Sequence, residues 1–105
     1  CITPSEDRCG CLQDIHWYDG AWGYFPSYTL GAIAAAQIFE TAQTANSDIL
    51  PSIADGNFKP LMDWLLKNIH SLGCLYTADE LLEHATGRPL DTTSFKAHLQ
   101  KRYLC

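Results

Sequence analysis

Side chains able to do acid–base chemistry are concentrated near the start of this 105-residue chain. Gln13, Asp14 and His16 lie within four positions, and Tyr24 and Tyr28 follow among glycines and other aromatic residues. Polar groups on a loop rimmed by rings are a common way of building a binding cleft. Periodicity alone favours a structural role, with Asp14 orienting its neighbours, His16 as a hydrogen-bonded interior imidazole and the rings as core.

Several catalytic patterns do not occur in the sequence. It contains no Gly-x-Ser-x-Gly elbow, no glycine-rich phosphate loop and no His-Glu-x-x-His zinc motif. Glu80 and His84 are one helical turn apart but supply two ligands at most, so a surface pair is the simpler interpretation. A weaker zinc pattern combines a Cys-x-Cys with a distant His-x-x-x-Cys, at Cys9, Cys11, His70 and Cys74.

The candidate residues stand on an irregular opening segment. Residues 1–26 contain two prolines and three glycines without helical periodicity, so we expect a loop with one short extended piece from Cys11 to Trp17. Five aromatic residues fall within nine positions, at Trp17, Tyr18, Trp22, Tyr24 and Phe25. This density argues against disorder and predicts that the loop packs against other parts of a fold.

Residues 27–105 are predicted to form four to five helices, which makes the fold class all-α. Apolar side chains recur at three- and four-residue steps from Ser27 to Ala45, predicting a helix of four to five turns. The small side chains in its alanine-rich middle suggest burial on more than one side. A short helix over residues 49–54 follows, with Asn46 or Ser47 as its cap.

The remaining helices have clear start and stop signals. An apolar stripe from Phe58 to Leu72 predicts the third helix, with an i,i+4 ion pair between Asp63 and Lys67. The sequence Thr77-Ala78-Asp79-Glu80 is a capping box that begins the fourth. Asp91 is expected to cap the last one.

Composition limits the classes of partner and location. Twelve acidic residues against seven Lys and Arg give a net charge of −5, which disfavours nucleic acid and anionic lipid as partners. No apolar run approaches the roughly 20 residues that cross a bilayer, so we expect no membrane contact. Five cysteines are an odd number for a disulfide framework, and this predicts reduced thiols and a cytoplasmic protein.

Two long runs carry a family resemblance. Residues 10–17 read Gly-x-x-Gln-Asp-x-His-Trp, and residues 23–31 read Gly-Tyr-Phe-Pro-x-Tyr-x-Leu-Gly. Both resemble motifs of the thermostable (Taq) carboxypeptidase family of zinc metallopeptidases. The resemblance covers essentially the whole chain and matches the C-terminal part of the family. A departure is Ala32-Ile33-Ala34, where the family pattern has a polar residue after the glycine.

The resemblance implies a larger protein than this chain. In the family, the His-Glu-x-x-His helix, a third carboxylate ligand and the arginines that grip the substrate carboxylate come earlier in a much longer chain. The chain is therefore expected to be the C-terminal part, residues 1–26 lining the active site and 27–105 helical, of a metallocarboxypeptidase. Such an enzyme releases single residues from peptide C-termini using water activated by zinc or another divalent metal. We expect no metal site and no activity in this segment alone.

The resemblance also implies roles for the motif residues. His16 would donate a hydrogen bond to the scissile carbonyl oxygen as it becomes an oxyanion, a contribution commonly worth about 3 kcal/mol, and Tyr24 is a second candidate. The residues expected to support them or to bind peptide are Gln13, Asp14, Trp17 and Tyr28.

Two other functions remain open. The chain could be a non-catalytic helical interaction module that docks through its aromatic loop, or a small zinc-stabilised domain. A segment of a larger helical body should also expose apolar faces, so we expect a homo-oligomer that associates through the alanine-rich helix or the aromatic loop.

Overall fold

The computed structural model describes residues 3–104 and is all-helical, without a strand in that range, which confirms the predicted fold class. Contacts along the chain form two units, Cys1–Leu30 and Gly31–Cys105. No helix in the described part of the chain is long and apolar enough to cross a membrane.

The first unit consists of short helical turns. Asp7–Cys9 and Cys11–Gln13 are single turns of 3₁₀ helix, and α1 (Ile15–Tyr18) is one turn of α-helix. The extended piece predicted from Cys11 to Trp17 is therefore wrong. The reason is local: Asp14 is extended at φ −101° and ψ 124°, and its side chain accepts the backbone N–H of His16, so it caps a helical turn and does not continue a strand.

A long helix, α2 (Phe25–Ala45), begins two residues earlier than the sequence pattern predicts. Its 21 residues make nearly six turns. Pro26 lies in the first turn, where its missing N–H would have no partner and its fixed φ suits the helix. The proline that suggested a loop therefore starts the helix.

Four more helices follow in the second unit, so the predicted number of four to five after residue 26 is confirmed. A 3₁₀ turn, His70–Leu72, continues the apolar stripe of the third predicted helix up to Gly73, which has φ +52°. The four helices are α3 (Ile49–Ala54), α4 (Lys59–Asn68), α5 (Ala78–Thr86) and α6 (Thr93–Tyr103).

The capping box predicted for α5 is confirmed, whereas the helix caps predicted for α3 and α6 lie next to the observed N-cap residues and not at them. The Glu80 amide donates to Thr77 Oγ1 at 3.4 Å and the Thr77 amide donates to Glu80 Oε2 at 2.9 Å, so the capping box is confirmed. The N-cap residue of α6 is Thr92, one residue after the predicted Asp91, whose Oδ1 accepts the Thr93 amide at 2.7 Å at the start of the helix. The prediction of Asn46 or Ser47 as the cap of α3 is wrong: the N-cap residue is Asp48, and Asn46 Oδ1 accepts the Asp48 amide at 3.0 Å in the preceding turn.

The ion pair predicted between Asp63 and Lys67 is wrong. Asp63 Oδ2 instead lies 2.6 Å from Lys59 Nζ, one turn earlier in α4. Both lysines are four residues from Asp63, so spacing alone does not distinguish them. Helical side chains lean toward the N-terminus, which brings the short Asp63 side chain over the turn that carries Lys59.

The second unit has a small core that includes a buried amide. Its buried apolar side chains are Ile33, Ala42, Ile49 and Leu82. Gln37 is 0% exposed, and its Nε2 donates to Thr86 Oγ1 at 2.9 Å and to the Pro89 carbonyl at 3.1 Å. Its Oε1 accepts the Asp91 amide at 3.1 Å. Gln37 thus fastens α2 to the segment between α5 and α6.

Candidate functional site

The site is built on the single turn α1 and the first turn of α2. Asp14 precedes α1, and its Oδ1 accepts two hydrogen bonds from His16, one from the backbone N–H at 3.0 Å and one from ring Nδ1. The backbone bond, followed by the ring bond, holds the pKa of the Asp14 carboxyl below its ordinary 3.8. Asp14 therefore stays a carboxylate at neutral pH and fixes which ring nitrogen of His16 faces it.

The other ring nitrogen of His16 meets a phenol. Tyr28 Oη lies 2.9 Å from His16 Nε2, which completes an Asp14–His16–Tyr28 chain of hydrogen bonds. With Nδ1–H donated to Asp14, the neutral imidazole accepts the Tyr28 O–H at Nε2. In the imidazolium form, Nε2 carries a proton that it can donate.

Aromatic rings hold the imidazole in place. Tyr24 stacks on His16 with ring centroids 5.3 Å apart and planes 25° apart, and Phe25 lies at 5.0 Å. The His16 side chain is 21% exposed, so one part of it still reaches solvent. Within residues 3–104 the Tyr24 hydroxyl has no hydrogen-bond partner, and this leaves it available to a ligand.

The other two sequence candidates stand outside this chain. Trp17 packs on Phe25 at 5.3 Å and on Trp22 at 5.4 Å, so it supports the imidazole through one intervening ring. Gln13 Nε2 donates to the Arg8 carbonyl at 2.5 Å and thereby ties down the preceding turn. The structure therefore groups Asp14, His16, Tyr24 and Tyr28, with Trp17 and Gln13 around them.

The sequence interpretation missed two features of this site. Phe25 was counted among the clustered aromatics but not as a direct neighbour of the imidazole. Tyr28 was a supporting residue without an assigned partner, although it contacts His16 directly. A usable signal is Pro26: as a first-turn residue of a helix, it places Tyr28, two residues later, in the same turn.

The described residues do not fit a metal site. Residues 3–104 contain no group of three or more His, Cys, Asp or Glu side chains placed to hold an ion. Cys9, Cys11 and Cys74 are exposed free thiols. Glu80 is engaged in its capping box, and His84 stacks on Tyr76 with centroids 5.3 Å apart.

Comparison with known proteins gives one consistent result. The family model described as carboxypeptidase Taq (M32) metallopeptidase matches residues 1–103. Thermostable carboxypeptidase 1 of Thermus thermophilus is 38% identical over 102 residues, covering 97% of this chain and 20% of that protein. Its namesake from Pyrococcus furiosus is 37% identical over 103 residues, covering 98% and 21%.

Solved structures agree with the sequence comparisons. The structure of Trypanosoma cruzi metallocarboxypeptidase 1 is 36% identical, with a TM-score of 0.89, and covers 100% of this chain and 22% of its own. An M32 carboxypeptidase from Deinococcus radiodurans is 35% identical with a TM-score of 0.88. The chain spans about a fifth of the length of these relatives. It belongs to the carboxypeptidase Taq (M32) metallopeptidase family.

Proposed function

We propose that this chain supplies part of the peptide-binding and catalytic surface of a cytoplasmic metallocarboxypeptidase that releases single residues from peptide C-termini. The family membership and the Asp14–His16–Tyr28 chain support this function. Zinc or another divalent metal would activate water in the whole enzyme, on ligands outside the residues described. By this proposal the 105-residue chain alone is inactive.

His16 acts as a hydrogen-bond donor to the substrate in this proposal. The Asp14 carboxylate accepts ring Nδ1–H and fixes the ring, so that when both ring nitrogens carry a proton Nε2–H points toward the position now occupied by Tyr28 Oη. When peptide binds, its scissile carbonyl oxygen takes the place of the Tyr28 hydroxyl as acceptor. Because the Tyr24 and Phe25 rings already fix the imidazole, little reorganisation is needed as negative charge develops on that oxygen.

Tyr24 and Tyr28 have secondary roles. The unpartnered Tyr24 hydroxyl is a second donor to the same oxygen or to the neighbouring peptide backbone. Tyr28 holds Nε2 in the free enzyme and binds substrate once it is released from the ring. Gln13 and Trp17 maintain the turns on which these groups stand.

The test uses the family-length enzyme that contains this segment. His16→Ala is expected to lower kcat by tenfold or more, equivalent to about 1.4 kcal/mol, with a smaller change in KM. The matched control is His84→Ala, which removes another imidazole stacked on a tyrosine and should leave kcat unchanged. An unchanged kcat in His16→Ala would show that His16 has no role in catalysis. Peptidase activity of the 105-residue chain alone would contradict the proposal that the metal ligands lie in another part of the enzyme.

Exposed rings favour a second function, a non-catalytic interaction module. Tyr18 is 65% exposed and Trp22 is 74% exposed, and large aromatic residues of this kind often anchor protein interfaces. The kinetic experiment separates the two functions, because a docking module has no turnover for His16→Ala to reduce.

A further inference from the structure

Two free thiols lie two residues apart, just before the candidate site. Cys9 ends the first 3₁₀ turn and Cys11 begins the second, and both residues are exposed. The proposed function uses neither of them. Their position on adjoining turns brings two sulfur atoms into the same small region of the surface.

Chain connectivity keeps the two cysteines within disulfide range. Residues i and i+2 can be at most about 7 Å apart at Cα, and a disulfide accepts about 4.4–6.8 Å. The backbone here is not at full extension: Gly10 has φ −125° and ψ −116°, its amide donates to the Asp7 carbonyl at 3.0 Å, and the Cys9 amide donates to the Glu6 carbonyl at 3.0 Å.

Gly10 is the residue that this turn accommodates best. A Cβ built on Gly10 would lie 3.2 Å from Pro4 Cγ, closer than an ordinary contact, so a larger residue would require the Pro4 ring to move. A glycine between the cysteines also gives the backbone the freedom to adjust when a small ring closes.

The two thiols have different surroundings. Cys9 Sγ donates to Glu6 Oε1 at 3.8 Å, whereas the Cys11 thiol has no hydrogen-bond partner among residues 3–104. Cys11 is therefore the more accessible attacking sulfur, and Cys9 is placed to resolve what forms on it.

We propose that Cys9 and Cys11 form a reversible dithiol–disulfide pair, oxidised by a small-molecule disulfide such as glutathione disulfide. The Cys11 thiolate attacks one sulfur of glutathione disulfide, forms a mixed disulfide and releases one glutathione thiolate. The Cys9 thiolate then attacks the Cys11 sulfur and releases the second. The two protein thiols lose two electrons and two protons, and glutathione disulfide becomes two glutathiones.

A bond that closes so short a loop on the surface is readily opened again. Strained or exposed disulfides have the more oxidising potentials and are the labile, regulatory ones. In a reducing compartment such a pair is transient and responds to the redox state. It thus differs from a structural disulfide, and the candidate site does not require it.

The test measures peptide masses after incubation with glutathione disulfide and alkylation of the remaining thiols. Trypsin does not cut before Pro60 or Pro89, so residues 9–67 form one peptide with Cys9 and Cys11 as its cysteines. We expect this peptide to lose two hydrogens without carrying glutathione, and to recover them with excess reduced glutathione. Cys74, an exposed thiol on another peptide, should keep its glutathione adduct and serves as the internal control.

Two single variants complete the experiment. In Cys9→Ser the glutathione adduct on Cys11 should be at least about tenfold more abundant than in the unchanged protein, because no neighbouring thiol at high effective concentration removes it. Cys11→Ser should likewise leave an adduct on Cys9. Adducts on Cys9 and Cys11 as persistent as the one on Cys74, or cross-links from either cysteine to another peptide, would overturn the proposal.

Discussion

At the scale of single residues, Asp14 has two separable tasks. Its carboxylate accepts the backbone N–H of His16, which starts α1, and it also accepts ring Nδ1, which orients the imidazole toward Tyr28. An uncharged amide can perform the first task as well as a carboxylate. It lacks the negative charge that strengthens the hydrogen bond from ring Nδ1–H, so substitution separates structure from catalysis.

Asp14→Asn in the family-length enzyme is expected to lower kcat by about tenfold while Tm stays close to that of the unchanged protein, because Asn still caps the turn. Asp14→Ala should lower both quantities, since it removes the cap together with the charge. Steady-state kinetics and thermal unfolding on the same preparations check this pair. A loss of kcat in Asn that matches the Ala variant, with equal loss of Tm, would show that Asp14 acts through structure alone.

At the scale of helices, hydrogen bonds to a titratable side chain at a helix start make the stability of the protein depend on pH. In the capping box of α5, hydrogen bonds from the Thr77 amide and then from its hydroxyl hold the pKa of Glu80 below its ordinary 4.5. A lowered folded pKa means that Glu80 contributes stability above pH 4.5. This contribution is lost as the pH falls through the lower folded value.

Glu80→Gln is expected to remove this part of the acid sensitivity. Gln keeps the reciprocal hydrogen bond of a capping box, so Tm near pH 7 should change little. As the pH falls below 4.5 and through the lower folded pKa of Glu80, the unchanged protein should lose more Tm than the variant does, because Gln does not titrate. Thermal unfolding across this range measures the difference, and parallel curves would contradict the assignment.

The buried side-chain amide of Gln37 holds the segment between α5 and α6 against α2. Gln37→Leu leaves the Asp91 amide without its acceptor, and an unsatisfied buried donor costs about 1–3 kcal/mol. Urea unfolding should therefore show a loss of that size. Gln43→Leu, on the same helix but partly exposed, is the matched control and should stay within about 0.5 kcal/mol. Equal losses of unfolding free energy in the two variants would show that the hydrogen bonds of Gln37 do not add to stability.

Across the described residues, exposed large apolar side chains outnumber the buried ones. Four apolar residues are buried in the described range, whereas large side chains of α6 are exposed, Leu99 at 37% and Tyr103 at 68%. In the second unit, a cavity of about 670 Å³ is lined by α2, α4 and α6 with Ala35, Phe39 and Leu65 among its walls. Apolar surface of this kind favours association.

The 105-residue chain is accordingly expected to self-associate, with the alanine-rich part of α2 in the contact. Ala35→Glu places a charge on that face at an exposed position and should shift sedimentation toward the monomer. Ala78→Glu, in the first turn of α5, is the control, because an acidic residue there is compatible with the helix dipole. A monomeric unchanged chain at micromolar concentration would refute the expectation.

Local signals made most of the elements predictable. The Thr77–Glu80 box, Asp91 and the apolar stripe of α4 act within one or two turns, so the sequence shows them directly. Pro26 was misread because the same residue is found in loops and in first turns of helices. The extended piece before Trp17 failed because a side-chain cap at Asp14 outweighed the absence of periodicity.

Residue types and their spacing along the chain are enough to predict the all-α class, the family and the chemical groups near the candidate site. Which distant groups touch is known from the three-dimensional structure: Tyr28 contacts His16, and Gln37 contacts Asp91. Such contacts join residues 12 or 54 positions apart. They depend on how turns and helices pack in three dimensions, which spacing along a chain does not encode.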